Sequence, residues 1–162
     1  MKIIKFLFLL LYFAAFSYHC IASLQSAKQS SEVSKGVTEV IVEIKEEVFK
    51  QEVKDVEKLH YDVRKIIGHF AFFGIIGLFG FVAYYLFTES IKYSLVFTLL
   101  SGIVMSLTSE LLQNFANERG PSIVDALIDY SGYLLASLVM LLIFFLIIKK
   151  KSMKIARANG AS

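Results

Sequence analysis

Four apolar runs, residues 3–22, 66–87, 91–108 and 126–148, are each close to the length that crosses a bilayer. About 20 mainly apolar residues wound as a helix span the hydrocarbon core. Each run must be helical, because an isolated strand would leave backbone groups unpaired in lipid. The rest of the composition agrees. With 56% of its 162 residues hydrophobic and 15 of them Phe, the chain is too short to hide that much apolar surface in a soluble interior. The expectation is an all-α, small polytopic membrane protein with four transmembrane helices.

Other classes fall away on chemistry. Cys20 is the only cysteine, which excludes an internal disulfide and a cysteine-based zinc site. The chain has no Gly-rich phosphate loop, no Gly-x-Ser-x-Gly and no His-Glu-x-x-His. Its net charge of +3 is segregated along the sequence, which reads as membrane topology and not as a nucleic-acid surface. No cofactor is implied, and the bilayer is the expected partner.

The chain divides into residues 1–22, 23–65, 66–148 and 149–162. The first piece has Lys2 and Lys5 before its apolar run, so it reads either as a transmembrane helix or as a signal-like segment, the helix being favoured. The second piece is polar. Val33, Val37, Val40, Ile41, Ile44, Val48, Val53, Val56, Leu59 and Val63 recur at spacings of three and four, with charges between them. That pattern predicts an amphipathic helical segment, broken once near residues 49–52, at the membrane surface or capping the bundle. The third piece holds three helices, and the fourth is a basic tail.

Placing both termini inside assigns Lys2, Lys5, Lys92, Lys149, Lys150, Lys151, Lys154 and Arg157 to the cytoplasm, against Glu89 alone. Nine basic and thirteen acidic residues then lie outside. Counting only Lys and Arg nearly ties the two sides, and the three lysines abutting the last apolar run tip the choice. The amphipathic segment is then extracytoplasmic.

Under this topology the polar residues gather at one face. Lys65 and His69 share a helix face four residues apart, Glu110 and Gln113 close the third helix, and Arg119 lies in the short connection over 117–122. Asp125 and Asp129 open the fourth helix. Ser122 and Asp125 fit a capping box behind Gly120 and Pro121. Glu110 and Arg119 are spaced for an interfacial salt bridge. Asp129 sits a full turn deeper, where an ionised carboxylate costs up to ~2.5–3.5 kcal/mol at mid-span depth. It needs a partner, and Lys65 or Arg119 is the expected one. Gly132 and Ala136, with Gly68, Gly74, Gly77 and Gly80, are expected to let two helices approach closely.

Three stretches carry a resemblance. Arg64-Lys65-Ile66-Ile67-Gly68-His69-Phe70, then Ser109-Glu110-Leu111-Leu112-Gln113, then Arg119 with Asp125, Asp129 and Gly132, resemble the VanZ-like family of bacterial integral membrane proteins. Residues 30–42, with Val37-Thr38-Glu39, are similar to the segment after that family's first helix. The resemblance covers roughly residues 23–140. It implies a four-helix membrane protein, in a family named for a member associated with low-level teicoplanin resistance. It also implies that Lys65, His69, Glu110, Gln113, Arg119, Asp125 and Asp129 are the signature positions. The chain departs from the pattern at Phe72-Phe73, where many relatives carry Glu-Tyr, and at Ser109 and Leu112, where relatives often carry Asp and His.

The leading expectation is therefore a non-catalytic cell-envelope protein whose outward polar cluster binds a lipid headgroup or cell-wall ligand, with a role in envelope homeostasis or glycopeptide resistance. The alternative is a membrane-embedded enzyme acting on a lipid-linked substrate, with His69, Glu110, Asp125 and Asp129 as acid–base groups or cation ligands. Their spacing matches no recognised metal motif, so no metal is expected from sequence. A third reading makes the cluster a pin for three helix ends. Oligomeric state is open.

Overall fold

A computed structural model describes residues 2–117 and 119–160, with the side chains of 27, 33 and 155–160 left aside. Val33 of the predicted apolar stripe and the end of the basic tail thus lie outside the described side chains. All described elements are helical. They are α1 (Lys2–Ser23), α2 (Ala27–Glu47), α3 (Val56–Thr88), α4 (Ile91–Gln113) and α5 (Ile123–Gly160). Helices α1, α3, α4 and α5 are long and apolar enough to cross a membrane, as the four apolar runs predict.

Several boundaries differ from the apolar runs for a physical reason. Helix propagation needs only backbone hydrogen bonds, so it continues past the point where side chains turn polar. Helix α3 begins at Val56, ten residues before its apolar run. Helix α5 runs on through Lys149–Lys151 to Gly160. The break in the amphipathic segment does fall near the expected place, between Glu47 and Val56. Ser26 starts α2 with a complete capping box, its Oγ accepting from the Gln29 N–H while Gln29 Oε1 accepts from the Ser26 N–H.

Small residues decide how the spans pack. A Cβ on Gly132 would overlap the Phe70 carbonyl, and one on Gly77 would overlap the Tyr133 carbonyl. The Ser137 hydroxyl shares its one proton between the carbonyl oxygens of Tyr133 on its own helix, at 2.7 Å, and Gly77 on α3, at 3.3 Å. Helices α3 and α5 therefore meet backbone to backbone, as the small-residue spacing predicts. Gly68 is the exception. Nothing lies within 4 Å of a Cβ placed there, because its neighbourhood is open.

Helix α1 packs against α3 and α4 and keeps its remaining faces for lipid. Tyr12 points inward and is fully buried among Phe73, Ile76, Met105 and Tyr133. Its hydroxyl meets Tyr133 Oη at 3.2 Å and donates to Met105 Sδ at 3.2 Å. Helix α4 turns an inward stripe toward the bundle, small or polar at Ser94, Thr98, Gly102, Ser109 and Gln113 and apolar at Met105. Their spacing of three and four is the helical period. At the end opposite the cluster, Lys5 on α1 pairs at 2.9 Å with Glu89 in the α3–α4 turn.

Candidate functional site

The polar cluster is assembled by a locally widened helix. From Arg64 to Ala71, α3 is wound as a π-helix, which bonds each N–H five residues back. That register stacks Arg64 above His69, whereas an α-helix pairs Lys65 with His69. Arg64 and His69 accordingly line one cavity of about 230 Å³, together with His19, Ser34, Phe72 and Arg119. Lys65 borders a second cavity of about 220 Å³, which Arg64 and His69 also line, and pairs with Asp125 at 2.9 Å. Its ammonium also lies 4.8 Å from the Tyr61 ring centroid, a cation–π distance.

Asp129 is fully buried, and its partner is His69. The His69 Nδ1–H donates to Asp129 Oδ1 at 2.9 Å. This corrects the expectation of Lys65 or Arg119. Lys65 is held at Asp125 one turn nearer the surface, and Arg119 is occupied elsewhere. The second Asp129 oxygen, Oδ2, is buried with no hydrogen-bond partner.

Glu110, only 3% exposed, also departs from the expected pairing. Arg119 does not bridge it directly. The Arg119 Nη2–H donates to Gln113 Oε1 at 2.8 Å, and Gln113 Nε2–H donates to Glu110 Oε1. The other Glu110 oxygen accepts the Ser122 backbone N–H at 2.9 Å. Ser122 Oγ accepts the Asp125 N–H at 3.2 Å, so the serine half of the capping box forms. Glu110 takes the place that Asp125 would fill in the other half. Asp125 is thereby free for Lys65.

All seven signature positions thus lie in one connected neighbourhood. His69, Glu110 and Asp129 form its buried centre, with His69 Nδ1 3.9 Å from Glu110 Oε1. These three could hold a metal ion by donor type and proximity. Burial, with the charge of nearby Arg64 adding to it, moves the Arg119 guanidinium below its ordinary pKa. Arg119 remains a cation, as guanidinium does throughout proteins.

Sequence reasoning missed a fourth contributor, α1. His19 is buried, with Nε2 2.8 Å from Ser109 Oγ, and Ser23 Oγ lies 3.1 Å from the same hydroxyl. The rings of His19 and His69 approach edge to face at 6.4 Å. An imidazole and a serine one turn apart, at the polar end of an otherwise apolar run, were the available signal. Arg64 was also passed over as a site residue, because the α-helical register turns it away from His69.

These features define a class: a four-span helical membrane protein with a buried histidine–carboxylate cluster at one end of its bundle. The VanZ/LLP1 family model matches residues 6–147. The chain belongs to that family. The match extends beyond the resemblance over 23–140 and takes in most of α1. No curated protein and no solved structure matches the chain.

Proposed function

We propose that the protein holds an anionic headgroup, that of a phosphate-bearing lipid or lipid-linked envelope ligand, in the cavity between α1, α2 and α3. One observation carries this reading: Arg64 and Arg119 line the same cavity, to which Tyr18, Ala22, Ile67 and Phe72 add apolar surface. Two guanidinium groups that raise each other's energy are stabilised by an anion placed between them, and their planar forks match phosphate oxygens. Phe72 and the exposed Ile67 and Tyr18 supply a wall continuous with the lipid-facing surface, which suits an attached hydrocarbon chain. In this proposal both termini are cytoplasmic and the cavity faces outward from a bacterial cell membrane, where such binding serves envelope homeostasis or glycopeptide resistance.

The test uses the full chain in nanodiscs of zwitterionic lipid doped with phosphatidylglycerol, with retained lipid counted by native mass spectrometry. Arg64→Gln or Arg119→Gln is expected to lower retention of the anionic lipid roughly tenfold or more, the worth of one charged hydrogen bond. Lys92→Gln, at the other end of the bundle, should leave it unchanged. Equal retention by wild type and both arginine variants overturns the reading. A second reading is favoured by His69, which lines the same cavity and has a carboxylate behind it: a general base acting on a bound lipid-linked substrate. Turnover of such a substrate, lost in Asp129→Asn with binding retained, would select it.

A further inference from the structure

We propose that His69, Glu110 and Asp129 bind one divalent first-row transition-metal ion, of the zinc, manganese or iron(II) kind, between α3, α4 and α5. The inference goes beyond headgroup binding and does not depend on it.

Geometry is the first support. Each residue offers one ligand atom, and these atoms lie within 4.8 Å of one another. Ligands about 2.0–2.2 Å from a common ion fall inside that spread with small side-chain adjustments. The three side chains come from three packed helices, two of which, α3 and α5, meet backbone to backbone, so the donors are positioned before any ion arrives.

An unused donor is the second support. Asp129 is fully buried, and its Oδ2 has no hydrogen-bond partner. An orphaned carboxylate oxygen in a span is costly, and a bound cation satisfies it. His69 and Glu110 are buried as well. Two ionised carboxylates carry −2, which a divalent ion cancels. Among the described residues no lysine or arginine reaches either carboxylate, since Lys65 pairs with Asp125 and Arg119 with Gln113.

Donor chemistry selects the class of ion. One imidazole with two carboxylates suits zinc, manganese or iron(II), whereas calcium and magnesium prefer all-oxygen shells. On coordination the His69 proton, now on Nδ1 and donated to Asp129 Oδ1, is carried on Nε2 instead, so the imidazole stays neutral and the Nδ1 lone pair turns to the ion. The surroundings resemble an outer shell, with Gln113 Nε2–H and Ser122 N–H fixing the Glu110 carboxylate. His69 lines both cavities, which gives the ion a path and leaves room for water as a further ligand. Asp125 and His19 are not in the set, being engaged with Lys65 and Ser109.

The experiment strips the full chain in neutral detergent with a chelator and titrates it with Co²⁺ and Zn²⁺, with no anionic lipid present. One equivalent per chain is expected, with Co²⁺ showing the spectrum and nitrogen hyperfine coupling of an imidazole ligand. Asp129→Asn and Glu110→Gln, both near-isosteric, should weaken binding at least about tenfold, the scale on which even outer-shell changes act. Glu43→Gln/Glu47→Gln on α2 should leave it unchanged. Three results overturn the proposal: no saturable binding by helical wild type, affinity unchanged in both site variants, or loss of the ion in the α2 variant. Should both site variants misfold, the wild-type Co²⁺ spectrum decides, and absence of imidazole nitrogen overturns the assignment.

Discussion

The His69 imidazole and the Asp129 carboxylate, sixty residues apart in the chain, face each other at 2.9 Å inside a membrane-spanning bundle. Each satisfies a group that lipid and packed side chains would otherwise strand. Removing one partner of such a buried pair costs about 3–5 kcal/mol, because the other is left uncompensated. Asp129→Ala and His69→Ala should therefore each lower unfolding stability by about that amount, and the double variant by clearly less than their sum. Chemical unfolding in micelles of the four proteins checks this. Additive losses would show that the two residues are not coupled.

Glycines on facing helices should respond unequally to the same methyl group. Gly132→Ala and Gly77→Ala place it against carbonyl groups of the opposite helix, where only a backbone shift makes room. Overpacking of that kind typically costs about 1–3 kcal/mol. Gly68→Ala meets nothing within 4 Å and should be neutral in stability, although it narrows the cavity. Thermal unfolding of the three single variants separates them. A loss at Gly68 equal to that at Gly132 would contradict the packing described.

This contrast also marks how far the sequence could be read. Run length and composition fix four spans, because the cost of exposed backbone in lipid leaves a chain few alternatives. The pairings are different. Lys65 and His69 do border one cavity, but Arg64 joins His69 through the π-winding between Arg64 and Ala71, which nothing in the residue order announces. His19 was hidden by another effect. A charged n-region before an apolar run resembles a signal-like segment, so its polar residues were not weighed as part of a core. The seven signature positions follow from their placement at helix ends, and the resemblance names the same set, but the division of labour among them required three dimensions.

Tyr12 anchors α1, and two substitutions should distinguish its ring from its hydroxyl. The ring is fully buried and the hydroxyl bonds with Tyr133 and Met105. Tyr12→Phe keeps the packing and should cost about 1 kcal/mol, the net worth of a typical hydrogen bond. Tyr12→Ala opens a cavity beneath α1 and should cost about 3–5 kcal/mol. Limited proteolysis near the α1–α2 connection should accelerate in the second variant alone. Indistinguishable variants would mean that α1 is not held by this residue.

The Lys5–Glu89 pair, though also 2.9 Å long, should contribute almost nothing. Its hydrogen bond from Lys5 holds the Glu89 carboxyl below its usual range, and Glu89 is open to solvent. A depressed carboxylate adds stability above its unfolded pKa and loses it as pH falls through the folded value. Water and salt screen that contribution for an exposed pair. Lys5→Ala should therefore match wild type in melting temperature at neutral pH, and acidification should not separate the two. A clear drop at neutral pH that vanishes on acidification would instead make this pair a clamp between α1 and the α3–α4 turn.

Sidedness is the remaining choice on which the outward-facing reading stands. The connection between α4 and α5 lies at the cluster end, and Asn117 within it is exposed. A Cys20→Ala background removes the native thiol, and Asn117→Cys then supplies a single reporter. A membrane-impermeant thiol reagent applied to intact cells should label it, as the lysines following the last apolar run favour an inside C-terminus. Lys92→Cys, at the opposite end of the bundle, should label only after lysis. The two positions must behave oppositely, since α4 separates them by a full span. If Lys92→Cys labels first, the arginine-lined cavity opens to the cytoplasm and its ligand must be sought in the inner leaflet. The His69–Glu110–Asp129 site survives either outcome, because its ligands and their burial do not depend on which side they face.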